Sequence, residues 1–224
     1  MPDPHPAFTV TALSFEQTRV LGCLLEKEAL VPDTYPLTFN SLLAACNQTT
    51  NRDPVTSLDD AAVTAAIDGL RQTGWVFQLS QAGARVPKFK HNLHDKISGL
   101  DRPAVALLCT LLLRGHQTAG ELRQRCERMH AFPDLASVES ELESLMDHAE
   151  GPLVTCLPSG SGRRVAQYAH LFSGPVDPGA VHAMHAAPAV VVPPPEDWRL
   201  AVETRLAALE SAVADLRAQL GLAG

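Results

Sequence analysis

The sequence predicts an α+β fold, mainly helical, made of two consecutive modules in which three helices are closed by a β-hairpin, then one long amphipathic helix. Three observations predict it. Apolar residues recur at helical spacing in three separate stretches before residue 75, and again in three between residues 103 and 146. Each set is followed by two short period-two runs around a turn of small residues, SQAGA at 80–84 and SGSG at 159–162. Lastly, Val202, Leu206, Leu209, Val213, Leu216 and Leu220 are spaced four, three, four, three and four apart, which is a heptad seam. Three helices followed by a hairpin is the winged-helix pattern. The expected architecture is therefore two tandem winged-helix domains followed by a C-terminal coiled-coil-like helix.

Residues 1–12 form a lead-in, because prolines at positions 2, 4 and 6 forbid a helix there. The first module covers residues 13–98. Ser14 caps its first helix, with Gln17 placed to complete a capping box, and Val20, Leu21, Leu24 and Leu25 form the buried stripe. Pro32 and Pro36 bracket an irregular connection, and Thr38 caps a second helix that buries Leu42, Leu43 and Cys46. A third helix is predicted over 58–73, with Asp59 and Asp60 in its first turn, where the helix dipole favours them. Gly74 is the residue that ends it. Strands over 75–79 and 85–89 make the first wing.

Between the second and third helices lies the least ordinary segment, the eleven-residue polar loop Asn47 to Ser57. A loop this long and polar either carries function or is decoration. Asn47, Gln48, Asn51 and Arg52 have the donors to contact phosphates or bases, and equally to cap the flanking helices. Residues 91–99 connect the two halves, and His91 and His94 are expected there as solvated loop histidines. Neither His91-x-x-His94 nor His182-x-x-His185 has a third ligand nearby in the sequence, so no metal site is expected.

The second module covers residues 99–174. Asp101 caps its first helix, with Pro103 near the first turn. Thr118 and Glu121 form a second capping box. Arg123, Arg125 and Arg128 make the second helix locally basic, and Glu139, Glu141 and Glu143 give the third an acidic face. Strands over 152–157 and 164–170 form the second wing, with Tyr168, Leu171 and Phe172 packing back on the module's own helices. Residues 175–195 are rich in proline and alanine and form a linker of extended character. The C-terminal helix over 196–220 either pairs with a second copy through its seam, giving a homodimer, or packs on its own chain.

Composition bounds the function. Lys and Arg number 18 against 25 Asp and Glu, for a net charge of -7, and each of the segments 1–100, 101–174 and 175–224 is acidic. That weighs against nucleic-acid binding, although one local face can be basic on an acidic protein. Five cysteines without CxxC spacing indicate buried small residues in a reducing compartment. No basic and apolar leader opens the chain, and the longest apolar runs are about half of what a bilayer needs. A cytoplasmic protein is expected, without membrane contact. The sequence has no nucleophile elbow, Walker A motif, HExxH or dinucleotide fingerprint, so neither an enzyme nor a cofactor is expected. Cys46 and Cys126 lack any local signature of a nucleophile, although Arg125 and Arg128 beside Cys126 would favour its thiolate.

Two functions follow from this geometry. The first is a DNA-binding protein with a regulatory role. Its contacts to double-stranded DNA would come from Asn47, Gln48, Asn51, Arg52, Arg71, Arg85, Lys88 and Lys90 in the first module, and from Arg123, Arg125, Arg163 and Arg164 in the second. The alternative is a protein-interaction or scaffolding dimer that keeps the winged-helix shape without nucleic acid. The acidic third helices oppose the first reading, because carboxylates repel phosphates.

Several stretches carry a family resemblance. They are Leu24 to Lys27, Tyr35 to Leu37, Ala45 to Gln48 leading to Thr50 to Val55, Leu111 to Gly115, Gln117 to Arg123, and Tyr168 to Gly174. Together they resemble the YceH family of uncharacterised bacterial proteins, from about Leu13 to Gly174 and again in the final helix. The resemblance implies a tandem winged-helix architecture with a helical tail, and no activity, ligand or catalytic residue.

Overall fold

In the computed structural model of the chain, which describes residues 12–80, 86–159, 165–176 and Ala207, Ser14 starts the first helix, α1 (Phe15–Leu30). Its capping box is complete. The Gln17 N–H donates to Ser14 Oγ at 3.2 Å, and the Ser14 N–H donates to Gln17 Oε1 at 2.8 Å. Val20, Leu21, Leu24 and Leu25 are buried, each stabilising the fold by roughly 1.5–3 kcal/mol. One 3-10 turn, Pro32–Thr34, leads to β1 (Leu37–Thr38). Thr38 is also the N-cap of α2 (Phe39–Cys46), accepting from the Ser41 N–H at 3.3 Å.

The third helix, α3 (Asp60–Gln72), starts later than expected, because Asp59 is its cap rather than part of its first turn. The Asp59 carboxylate accepts from the Ala62 N–H at 2.8 Å. Gly74 follows the helix at φ +74°, a conformation that a side chain would disfavour. The hairpin is β2 (Val76–Leu79) and β3 (Lys88–His91). β3 begins three residues after the expected position, beyond Pro87, which has no N–H to give to a ladder. β3 pairs on its far side with β1, making a three-stranded antiparallel sheet in the order β1-β3-β2. That pairing was not expected from Pro36-flanked residues, since two residues show no periodicity. Leu93–Lys96 form one further helical turn, α4.

The second half repeats the arrangement. Asp101 caps α5 (Arg102–Arg114), and Gly115 ends it at φ +67°. Thr118 and Glu121 form the capping box of α6 (Ala119–Cys126), and Asp134 caps α7 (Leu135–Met146). The strands β4 (Val154–Leu157) and β5 (Gln167–His170) pair antiparallel, and Gln117 bridges to Tyr168 on the other side of β5.

Most buried apolar residues of both halves form one contiguous cluster, and Leu157 and Ala169 form a second, small one with Val176. The seam of the larger cluster is the packing of α1 against α5. Gly22 permits this close approach, since a β-carbon there would lie 2.9 Å from the Leu113 side chain. The Cys109 thiol donates to the Gly22 carbonyl across the seam at 3.4 Å. Phe172, expected to pack back on its own module's helices, also meets Trp75 of the first half, with ring centroids 5.5 Å apart and the rings tilted by 55°. The Leu13 N–H also donates to the Phe172 carbonyl at 2.8 Å. Among the described residues no helix is long and apolar enough to cross a membrane. The heptad residues Val202, Leu206, Leu209, Val213, Leu216 and Leu220 lie outside the described residues, as do Arg85, Arg163 and Arg164.

Candidate functional site

The polar loop is built against α1, and it starts with residues that α1 turns inward. Arg19, Cys23 and Glu26 stand at i, i+4 and i+7, on one face of that helix. All three are buried. Arg19 reaches the loop directly, with Nη1 donating to the Cys46 carbonyl at 3.2 Å and Nη2 to the Pro54 carbonyl at 2.7 Å. Its guanidinium also lies 5.1 Å from the centre of the Phe15 ring.

Glu26 holds Arg52. Arg52 Nη1 donates to Glu26 Oε1 at 3.0 Å and Nη2 to Oε2 at 2.7 Å, a bidentate pair whose side chains are 0% and 4% exposed. Arg52 Nε donates to the Ala45 carbonyl at 3.0 Å. The second N–H of Nη1 goes to the Asn51 carbonyl at 2.8 Å and that of Nη2 to Gln48 Oε1 at 2.8 Å. A guanidinium has five N–H donors, and all five of Arg52 end on the protein. Burial alone would push the Glu26 carboxyl up. The hydrogen bonds and charge of Arg52, with further bonds from Asn51 and Lys27, instead hold it down at about 2.

Asn51, Asn47 and Gln48 also bond inward, whereas Thr49, Thr50, Asp53, Val55 and Ser57 are exposed. Asn51 adopts φ +56°, which asparagine tolerates, and its Nδ2 donates to Glu26 Oε1 at 2.8 Å. Asn47 spans the loop's two ends: its Nδ2 donates to the Leu58 carbonyl at 2.8 Å, and its Oδ1 accepts from the Leu58 N–H at 2.7 Å. Gln48 Oε1 accepts from Lys27 Nζ at 3.1 Å as well as from Arg52. The loop therefore caps and braces. Its backbone reaches the second half too, where the Asp53 N–H donates to the Leu113 carbonyl at the end of α5, at 3.0 Å. Of the four side chains expected to contact phosphates, Gln48, Asn51 and Arg52 meet around Glu26 and Lys27, and Asn47 joins the loop's two ends.

The other predicted contacts are on separate elements. Arg71 is exposed on α3 and paired with Asp68 at 3.0 Å. On α6, Arg123 donates to the carbonyls of Phe132 at 3.3 Å and Pro133 at 2.6 Å, and Arg125 pairs with Glu121 at 3.3 Å. Lys88 and Lys90 stand on β3, directly opposite Leu79 and Phe77 of β2. Lys90 Nζ lies 5.8 Å from the centre of the Phe77 ring. Phe77 and Leu79 are 41% and 36% exposed. On the third helices, Asp60 and Asp68 of α3 and Glu139 and Glu143 of α7 are exposed.

Two further expectations are corrected. His91 is a buried strand residue rather than a solvated loop histidine. Its Nε2 lies 2.6 Å from Glu28 Oε2, its Nδ1 accepts from the Leu93 N–H at 3.2 Å, and its N–H donates to the Tyr35 hydroxyl at 2.8 Å. Cys126 faces the core, not the nearby arginines, with its thiol 3.2 Å from Thr110 Oγ1, and burial pushes it up to about 11. Hydrogen bonding to Cys23, and then burial, push the Cys46 thiol well up also. Among the described residues no group of three or more histidine, cysteine, aspartate or glutamate side chains could hold a metal ion.

Sequence reasoning missed Arg19 and Glu26. The apolar stripe of α1 does not reveal them, since both lie with Cys23 on the side of the helix opposite Val20, Leu21, Leu24 and Leu25, and that side is buried too.

These elements define a mainly helical α+β protein in which one three-helix-and-hairpin arrangement occurs twice around a shared core. Its family is one whose function is unknown: the family model described as "Protein of unknown function, DUF480" matches residues 13–163, and the chain belongs to that family. Similar proteins, each named UPF0502 protein, occur in several bacteria. That of Pelobacter propionicus is 45% identical over 210 residues, covering 94% of this chain and 92% of the relative. That of Acidovorax sp. strain JS42 is 48% identical over 221 residues, covering 94% and 95%. A third, from Geotalea uraniireducens, is 48% identical over 201 residues, covering 88% and 87%.

Proposed function

We propose that the protein is a protein-interaction module of tandem winged-helix type, dimerised through its C-terminal heptad helix. The observation that carries this reading is the outward face of the two third helices. A winged-helix protein reads DNA by placing its third helix in the major groove. Here those helices are α3 and α7, and they expose Asp60, Asp68, Glu139 and Glu143. Carboxylates in that position repel a duplex. The strongest candidate for a phosphate contact, Arg52, has no N–H left to give one.

The DNA-binding reading keeps one specific support, Lys88 and Lys90 on the hairpin that would be the first wing. The two readings separate in a fluorescence-anisotropy titration of the full chain with a labelled duplex at low salt. The interaction reading expects a flat curve, together with a stoichiometric protein partner in a pull-down that survives nuclease. Salt-sensitive binding that weakens in a Lys88→Ala, Lys90→Ala variant would overturn it in favour of DNA.

A further inference from the structure

We propose that the outer edge of β2 is a docking site for an extended, acidic and apolar segment of a protein partner, which adds to the sheet as a fourth strand. This deepens the interaction reading and rests on it.

Strand edges expose unpaired N–H and C=O groups, and proteins ordinarily protect them by short length, charge, proline or cover. Among the described residues, three of the four sheet edges are protected. β1 is two residues long and runs straight into α2. β5 is covered by Gln117, whose N–H donates to the Tyr168 carbonyl at 3.0 Å and whose carbonyl accepts from the Tyr168 N–H at 2.7 Å. β4 is buried or half-buried along its whole length and is followed by Pro158. β2 has none of these devices. Its sequence, Val76-Phe77-Gln78-Leu79, holds no charge, proline or glycine, and all but Val76 is exposed. Among the described residues nothing pairs with its outer side.

The side chains around that edge indicate what it takes. Phe77 and Leu79 share one face of the hairpin with Lys90 and Lys88, their partners in register. Lys90 leans across the Phe77 ring, towards the free edge. Val86, 59% exposed, lies just ahead of β3. A strand laid along β2 would sit about 4.8 Å from it, so its side chains on this face would meet Phe77 and Leu79, with the ammonium groups within reach above. Main-chain bonds would give the affinity and this face the selectivity. Apolar residues suit the ring and the leucine, and carboxylates suit the lysines. On a chain with net charge -7, an acidic partner is attracted only where such lysines stand.

The test is selection of a displayed library of random ten-residue peptides on the full-length protein. The selected peptides are expected to alternate apolar residues with aspartate or glutamate. A synthesised member should bind at least tenfold more weakly to a Phe77→Lys, Leu79→Lys variant, whose exposed substitutions leave the thermal melt by circular dichroism unchanged. Selection on a Lys88→Glu, Lys90→Glu variant should yield basic peptides instead. N-methylation of every second amide in the peptide should abolish binding in one of the two alternating sets and leave it intact in the other. Peptides that bind the Phe77→Lys, Leu79→Lys variant as well as the parent would overturn the proposal, while leaving the interaction reading in place. Insensitivity to N-methylation in both sets would overturn it as well, since it would mark a side-chain groove. So would concentration-dependent dimerisation lost in that variant and unaffected by peptide, because the occupant would then be a second copy. A selection that yields no peptide overturns it too, and the DNA titration then shows whether the interaction reading falls with it.

Discussion

Replacing Arg52 by alanine separates a braced loop from a binding loop. In the structure that change removes five hydrogen bonds and leaves the Glu26 carboxylate buried beside Asn51 and Lys27. Removing one partner of a buried ion pair costs about 3–5 kcal/mol, whereas a change at a solvated phosphate contact falls within about 0.5 kcal/mol. Urea unfolding of Arg52→Ala at pH 7 should therefore show a loss of several kcal/mol. The pH dependence gives an independent check. Glu26 is depressed from 4.5 to about 2, so its contribution is present above pH 4.5 and is lost as pH falls towards 2. Its size is about 3 kcal/mol at most. Without Arg52 the carboxyl protonates more readily, and the gap between variant and parent should narrow below about pH 4. A loss under 0.5 kcal/mol at pH 7, or a gap that stays constant from pH 7 to pH 3, would refute the buried-brace argument.

Two other outcomes are expected. Gly22→Ala should lower stability by about 1–2 kcal/mol by chemical denaturation despite alanine's better helix propensity, because the new methyl meets a fully buried Leu113 that has no room to move. A Gly22→Ala, Leu113→Ala pair should then lose less than the two single changes together. In an NMR pH titration, His170 should remain neutral down to about pH 4, since burial and then the neighbouring His116 push it down to about 4. An unfolded histidine takes up its proton near 6.5, so this residue withdraws stability as pH falls from 6.5 towards 4. A midpoint near 6.5 in the folded protein would contradict that environment.

Local structure was legible because its causes are local. The Ser14 and Thr118 capping boxes and the Gly74 helix end each rest on residues within four positions of one another, and all occur as the spacing predicts. Where a local signal was too short, expectation failed. Leu37–Thr38 shows no pattern, and only the arrival of β3 makes it a strand. Leu58 fits the helical spacing of α3 but lies outside it, because Asp59 is the cap. The polar loop was conspicuous in the sequence, but its polarity could not reveal direction. Asn47 and Arg52 have the same donors whether they face water or the core.

Periodicity by itself determined which residues share a face of each helix and strand, and therefore the two sets of three helices and a hairpin. Only the tertiary structure decided what each face meets. Glu26 could be recognised as a buried carboxylate only once Arg52, 26 residues further along, was folded onto it. The shared core depends likewise on α1 and α5 meeting where Gly22 leaves room. A side chain's spacing is fixed by the backbone geometry of its own element, whereas burial and pairing are relations between elements, fixed only when the chain closes on itself.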